Sequence, residues 1–438
     1  MAAPRVSVEL TEWQTLEPTP GSALEGVFFD GTAARGAAEQ LTQSGLLGLD
    51  ELRTGLRVHA SSFVGRVVLG DVQVTVRPKI EQTRLLRLLR YAYGLRDLRL
   101  YQLVRYDAAA DEFPELLIRQ LAAEVQELLT RGLRRAYVRA DEELASPRGR
   151  IDLERLARAG GIVRAALPCT HHPRSEDTLL NQVLLAGLRL AARITRDSPL
   201  RLTLHRLAAT IDEAVSVAHL DGAVLERSER VMTRLTTAYG PALALIRMLL
   251  TGEGISLETE GARVRVPGFL FDMNRFFQAI LSRFLRENLA GFTVRDEYRL
   301  RGMLAYHPQH DPWKHRAPTP RPDYAVLQGT TVVALLDAKY MDLWGRQAIS
   351  QDVLYQLAIY ALSQPLEATA TILYPTTDAT ARDARIDIND PVHGGPRAHV
   401  VARPVNLDRL EACIAEMPEV VGARKRAAYA RVLVFDGA

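Results

Sequence analysis

RPDYAVLQGTTVVALLDAKY, residues 321–340, is the stretch on which the fold turns. It reads as two short strands joined by a tight turn at Gln328-Gly329-Thr330, because polar and apolar residues alternate with a period of two and a glycine sits at the break. Asp323 opens the first strand, and Asp337 and Lys339 close the second. Being two residues apart on a strand, Asp337 and Lys339 share a face, while Leu336 and Ala338 take the other. Two carboxylates and an ammonium therefore converge at one end of a hairpin. Such a set suits a hard divalent cation, magnesium above all, which takes carboxylate oxygens, keeps several waters, polarises a phosphodiester and lowers the pKa of a bound water. A neighbouring lysine orients that water or offsets charge on the phosphate.

The order P-D, gap, D-x-K resembles the nuclease core called PD-(D/E)xK. Lysine usage sharpens the resemblance: lysine stands only at positions 79, 314, 339 and 425, so 51 of the 55 basic residues are arginine. Arginine has taken over the generic basic roles, yet an ammonium is kept at Lys339, where a planar guanidinium replaces a point charge poorly. The bland alternative makes Asp323 and Asp337 turn and strand-end residues and Lys339 a solvated edge charge. Downstream, Ile349–Ser363 is helical in pattern and places Gln356 and Tyr360 four apart on one face. Many nucleases of this type carry a Q-x-x-x-Y pair on the helix after the D-x-K strand.

The 438 residues suffice for two or three domains with ample core. A formal net charge of +3 permits nucleic-acid binding without arguing for it. Two cysteines are too few for a disulfide framework, and neither a signal segment nor a run of eighteen apolar residues is present, so a soluble cytoplasmic protein with no membrane contact is expected.

The pattern predicts a multidomain α+β chain. Residues 1–82 are β-rich: Val6, Val8 and Leu10 alternate, and Gly65–Ile80 reads as a hairpin turning at Gly70-Asp71 with Val72, Val74 and Val76 on one face. Glu17–Gly36 between them reads as an exposed excursion or arm. Residues 83–254 form a mainly helical middle domain, with helices expected at Phe113–Leu133, Asp177–Asp197, Leu200–Val217 and Ala223–Leu250. Ser146–Asp152, SPRGRID, is a basic turn that either sits on a phosphate or leads into a helix. Residues 255–438 open with an apolar helix over Gly268–Leu289 capped by Asp272 and a strand at Thr293–Leu300. The hairpin, the Gln356 helix and strands at Ala368–Tyr374, His399–Val405 and Arg431–Phe435 follow, an order suited to a mixed sheet flanked by helices.

Cys169, His171 and His172 lack the second ligand pair that structural zinc needs. His307, His310 and His315 have no ligand-like partner set either; with Lys314, Arg316 and Arg321 they read as a basic loop, near a phosphate or simply solvated.

A more specific resemblance emerges from an ordered series: VRPKI at Val76–Ile80, SPRGRID, the stretch Cys169–Asn181 ending in EDTLLN, FDMNRFF at Phe271–Phe277, RPDY and LDAKY. Together these are similar to the McrC family, the nuclease subunits of modification-dependent (type IV) restriction systems. The resemblance implies a C-terminal PD-(D/E)xK endonuclease domain in which Asp323 and Asp337 bind the catalytic Mg2+, Lys339 assists the attacking water, and Gln356 with Tyr360 supports the site. One position departs: many McrC-like chains have Glu where this one has Gln278, and Asp296 or Glu297 is a candidate to compensate.

The resemblance further implies a partner, a McrB-like AAA+ ring that hydrolyses GTP and is engaged by the N-terminal part of the subunit, and a substrate of double-stranded DNA carrying methylated or otherwise modified cytosine. The sequence bears on this directly. No lysine follows a glycine, so the chain has no P-loop and GTP belongs to the partner. The expected activity is Mg2+-dependent phosphodiester hydrolysis in that assembly. A noncatalytic docking subunit that stimulates the motor's GTPase and a stand-alone RecB-like nuclease are the alternatives.

Overall fold

The computed structural model describes residues 6–95, 113–137, 139–158, 165–259, 262–307, 309–310, 315–341, 343, 349–365, 368–415 and 420–435, with backbone alone at 82, 253–259, 262–267 and 420. It is a multidomain mixed α/β architecture.

The chain begins in strand β1 (Val6–Thr11), then builds the hairpin β2 (Phe63–Leu69) and β3 (Val72–Arg77). The hairpin turns at Gly70, whose φ of 55° a residue with a side chain adopts poorly. Val72, Val74 and Val76 are buried as the alternation requires, and β1 lies parallel to β3 with Val8 opposite Val74. Glu17–Gly36 departs from its expectation: Leu24 and Phe29 are 2% and 4% exposed, so the excursion is pinned into the N-terminal core and leads into a helix at Thr32–Gln43. Apolar anchors decide its path despite the glycines and prolines around them.

The middle of the chain is mainly helical, with α1 (Phe113–Arg131), α2 (Leu179–Ile194) and α3 (Gly240–Gly252) sharing one core. The helix expected at Ala223–Leu250 is two helices, Gly222–Arg230 and α3: the first ends at its C-cap Val231, and Gly240-Pro241 opens the second, where the N–H that proline lacks has no helical partner to lose. Ser146–Asp152 is a turn and short strand: Gly149 has φ 71°, and a Cβ there would lie 2.4 Å from the Thr170 carbonyl oxygen. Cys169 is buried in the strand it pairs with.

The chain then returns to the first sheet. Strands β4 (Glu253–Thr259) and β5 (Ala262–Asp272) complete a five-stranded order β1-β3-β2-β5-β4, with Asp272 opposite Phe63. The apolar run Gly268–Phe271 is therefore strand, and α4 (Met273–Asn288) begins only afterwards, with Asp272 accepting from the backbone N–H groups of Asn274 and Arg275 at 2.9 and 3.3 Å. The expected boundary between residues 254 and 255 falls inside β4.

The last part is a six-stranded mixed sheet: β6 (Thr293–Asp296), β7 (Tyr324–Gln328), β8 (Thr331–Ala338), β9 (Thr369–Thr376), β10 (Ala384–Asn389) and β11 (Pro396–Asn406), in the order β6-β7-β8-β9-β11-β10. The central β8, β9 and β11 run parallel and the outer pairs antiparallel. Helices cover both faces, and the strand alternation says which. Tyr324, Val326, Leu336 and Ala338 share a core with Phe277, Ile280 and Phe284 of α4. Ala325, Leu327 and Leu335 share another with Leu357, Tyr360 and Ala361 of α5 (Gln351–Leu362). Each such aromatic or leucine, fully buried, contributes about 1.5–3 kcal/mol. The strand expected at Arg431–Phe435 is instead the end of α6 (Val420–Val434), which lies on α4 with Phe284 and Tyr429 rings 6.0 Å apart. Among the described residues no helix is long and apolar enough to cross a membrane.

Candidate active site

The β7–β8 ladder sets the geometry. Tyr324 pairs with Leu336, which brings Asp323 and Asp337 side by side at the end of the ladder. There the backbone N–H of Ala338 donates to Oδ2 of Asp323 at 2.8 Å. Leu336 and Ala338 join the α4-side core, which turns Asp337 toward the opposite face, as the alternation requires.

Asp337 is 1% exposed, and its Oδ2 is buried without a hydrogen-bond partner. Lys339 Nζ lies 3.4 Å from that oxygen, with about a third of the lysine side chain open to solvent. Burial first, and then the neighbouring Asp323 charge, push the Asp337 carboxyl up to about 7, with Lys339 pulling it back. Burial also raises Asp323, opposed by the Ala338 N–H, the Lys339 charge and the Gln278 amide. Two adjacent carboxylates beside one ammonium raise each other's proton affinity, a repulsion that a nearby cation relieves.

Gln278, on α4, donates its side-chain amide to Asp323 Oδ2 at 3.0 Å. On α5, Gln356 Nε2 donates to the Tyr360 hydroxyl at 2.6 Å. Burial pushes Tyr360 up to about 12, and the charges of Asp337 and Asp323 contribute, so the phenol lies within electrostatic reach of both. All five residues singled out in the sequence, Asp323, Asp337, Lys339, Gln356 and Tyr360, thus gather at one end of the six-stranded sheet.

The candidates for a third carboxylate do not join them. Asp296 accepts from Ser282 and from Arg286 at 2.6 Å, and Glu297, held at φ 50°, pairs with Arg321. Among the described residues no group of three His, Cys, Asp or Glu side chains forms a metal cage. The donor set is two carboxylates, one of them buried beside the Lys339 ammonium. It suits a cation that keeps most of its waters, as magnesium does, and offers nothing to a soft metal. The histidine-rich loop places the His307 and His310 rings 4.9 Å apart, while Lys314 lies outside the described residues.

Three residues escaped the sequence reading. They are Ser62, Asn274 and Glu12: Asn274 Oδ1 accepts from the Tyr340 N–H at 2.9 Å, Asn274 Nδ2 donates to Ser62 Oγ at 2.6 Å, and the Glu12 carboxylate faces the Tyr340 hydroxyl. Asn274 stands within FDMNRFF, but nothing in its spacing announces that role.

Residues 58–375 match the family described as McrBC 5-methylcytosine restriction system component, and the chain belongs to that family. No curated protein matches it. Among solved structures it is similar to the refined half-complex from the tetradecameric assembly of Thermococcus gammatolerans McrB AAA+ hexamers with bound McrC. Identity there is 20%, over 97% of this chain and 99% of that one, with a TM-score of 0.56. The cryo-EM structure of the Thermococcus gammatolerans McrBC complex matches 66% of this chain and 90% of its own at 21% identity, with a TM-score of 0.45. At such identity the first likeness speaks for the fold.

Proposed function

We propose that this chain is the DNA endonuclease subunit of a McrBC-type restriction system, hydrolysing phosphodiester bonds of DNA that carries modified cytosine when assembled with a GTP-hydrolysing AAA+ ring. The observation that carries the reading is the buried Oδ2 of Asp337 beside Asp323, which accepts no hydrogen bond and faces the Lys339 ammonium 3.4 Å away. Membership of the McrBC family and a solved McrC bound to McrB hexamers support the assembly.

Asp323 and Asp337 would hold Mg2+, which supplies Lewis acidity toward the phosphate and an acidified water. The chain's own residues do the rest. The Ala338 N–H and the Gln278 amide fix one oxygen of Asp323, so its carboxylate is presented in a single orientation. Lys339, tethered on the strand end and partly open to solvent, orients the attacking water and offsets charge growing on the phosphate. Gln356 holds the Tyr360 phenol in place by its amide hydrogen bond.

The test uses plasmid DNA with and without 5-methylcytosine, this chain, its AAA+ partner, GTP and Mg2+. Wild type cuts the modified plasmid, whereas Asp323→Ala and Asp337→Ala assemble with the ring and stimulate its GTPase yet lose cleavage by at least about 10³-fold. If wild type stimulates GTPase and never cuts, the noncatalytic docking subunit is the right reading, and the neutral Gln278 beside Asp323 is the observation that favours it.

A further inference from the structure

We infer that Asn274 is a positioning residue for Lys339, oriented in turn by Ser62, which lies just before strand β2 of the N-terminal sheet. The inference rests on the nuclease reading for its effect on rate, and on geometry for everything else.

Lys339 stands one residue past the end of β8, where the regular ladder no longer fixes the backbone on both sides. Its own N–H donates to the Leu373 carbonyl at 3.0 Å. The next peptide is held from outside the sheet, by the Asn274 side chain on the Tyr340 N–H. The amide of Asn274 has its orientation settled chemically: the Tyr340 N–H requires an acceptor, so Oδ1 faces it, which leaves Nδ2 to donate to Ser62 Oγ. Ser62 is 4% exposed, and its carbonyl also accepts from the Met273 N–H at 3.1 Å, so one residue between two strands of the N-terminal region grips both the first residue of α4 and the Asn274 side chain.

Asn274 and Gln278 are four apart on α4, hence on one face. One secures the residue after Lys339 and the other secures Asp323, so a single helical turn fixes the spacing between the lysine arm and the carboxylate arm of the site. That turn starts at Asp272, the last residue of β5 in the N-terminal sheet. The Tyr340 ring is clamped as well, packed edge-on to Phe277 with centroids 6.0 Å apart and 5% exposed. With ring and N–H both held, the backbone at Lys339 has little room to turn. Losing the Asn274 contact frees one peptide next to the ammonium without touching either carboxylate.

The experiment compares wild type, Asn274→Ala, Ser62→Ala and Asn274→Asp in the full chain assembled with its AAA+ partner. Four quantities are read: kcat and KM for cleavage, Mg2+ affinity of the chain by calorimetry, and hydrogen exchange of the Tyr340 amide. Asn274→Ala lowers kcat about 10²-fold while KM and Mg2+ affinity stay within twofold, as expected for a displaced catalytic arm. Its Tyr340 amide exchanges at least about tenfold faster. Ser62→Ala moves both readouts in the same direction by about threefold to tenfold. Asn274→Asp restores both, since one carboxylate oxygen accepts from Tyr340 and the other from the Ser62 hydroxyl. Wild-type kcat in Asn274→Ala, or unchanged Tyr340 exchange, overturns the inference. Should Asn274→Ala fail to fold, Ser62→Ala decides, and wild-type behaviour in both of its readouts overturns it. A wild type that does not cleave at all overturns the nuclease reading instead.

Discussion

Gln278 and Asp323 are joined by a 3.0 Å hydrogen bond from the glutamine amide to the aspartate Oδ2. An uncharged side chain therefore stands beside two carboxylates that already repel each other. Gln278→Glu puts a third negative charge there. The metal-free chain should lose about 1–3 kcal/mol of stability at pH 8, read by urea unfolding, because an added charge at a half-buried site has no cation to balance it. Calorimetry should show divalent-cation affinity rising about tenfold. An unchanged affinity would mean that the α4 face does not border the metal position.

Lys339 is one of four lysines in a chain that uses arginine elsewhere. Lys339→Ala should lower kcat about 10²–10⁴-fold with DNA binding intact. Lys339→Arg should recover little of it, because a planar fork does not replace a compact ammonium 3.4 Å from Asp337. Full activity in the arginine variant would reduce the lysine to a generic counter-charge.

Glu12 is 1% exposed, and burial pushes its carboxyl from 4.5 to about 7. A raised acid pKa means the native state holds the proton more tightly. The associated stability is complete below pH 4.5 and is lost as pH climbs through 7. Glu12→Gln should therefore stabilise the protein at pH 8 by as much as about 3 kcal/mol and leave it unchanged near pH 4.5. Equal stabilisation at both pH values would show that packing, not ionisation, governs the site.

At Gly65, φ is 136° and an added Cβ would lie 2.1 Å from the Phe269 carbonyl oxygen, on the strand it pairs with. The obstruction is backbone, which cannot swing aside. Gly65→Ala should cost about 3 kcal/mol or more in urea unfolding, while Gly36→Ala, inside the helix Thr32–Gln43 with open space around it, should stabilise by about 0.5–1 kcal/mol. A small loss at Gly65 would refute the close pairing of β2 with β5.

The hairpin was legible in the sequence because its signal is local. Period-two alternation, a glycine at the turn and a D-x-K end determine strand, turn and shared face within twenty residues. Gln356 and Tyr360 were legible for the same reason, at helical spacing. What escaped depends on partners far along the chain. Gly268–Phe271 is an apolar run that suits a helix start as well as a buried strand, and only pairing with residues 64–67 decides it. Arg431–Phe435 has β-forming residues, yet packing on α4 makes it helix. The exposed edge strand Ala384–Asn389 is short and lies between turn-rich segments. Asn274 and Ser62 meet across 212 positions, beyond the reach of any spacing rule.

The return of β4 and β5 to a sheet begun by β1 has a consequence for synthesis. The edge of β2 awaits strands that end at Asp272, about 195 residues after Arg77, where β3 ends. At ribosomal speeds of roughly 5–20 residues per second, that edge stays unpaired for about 10–40 s while the helical segment emerges. The nascent chain must carry an open, valine-rich strand edge through that interval, which exposes this sheet to mispairing until β5 emerges.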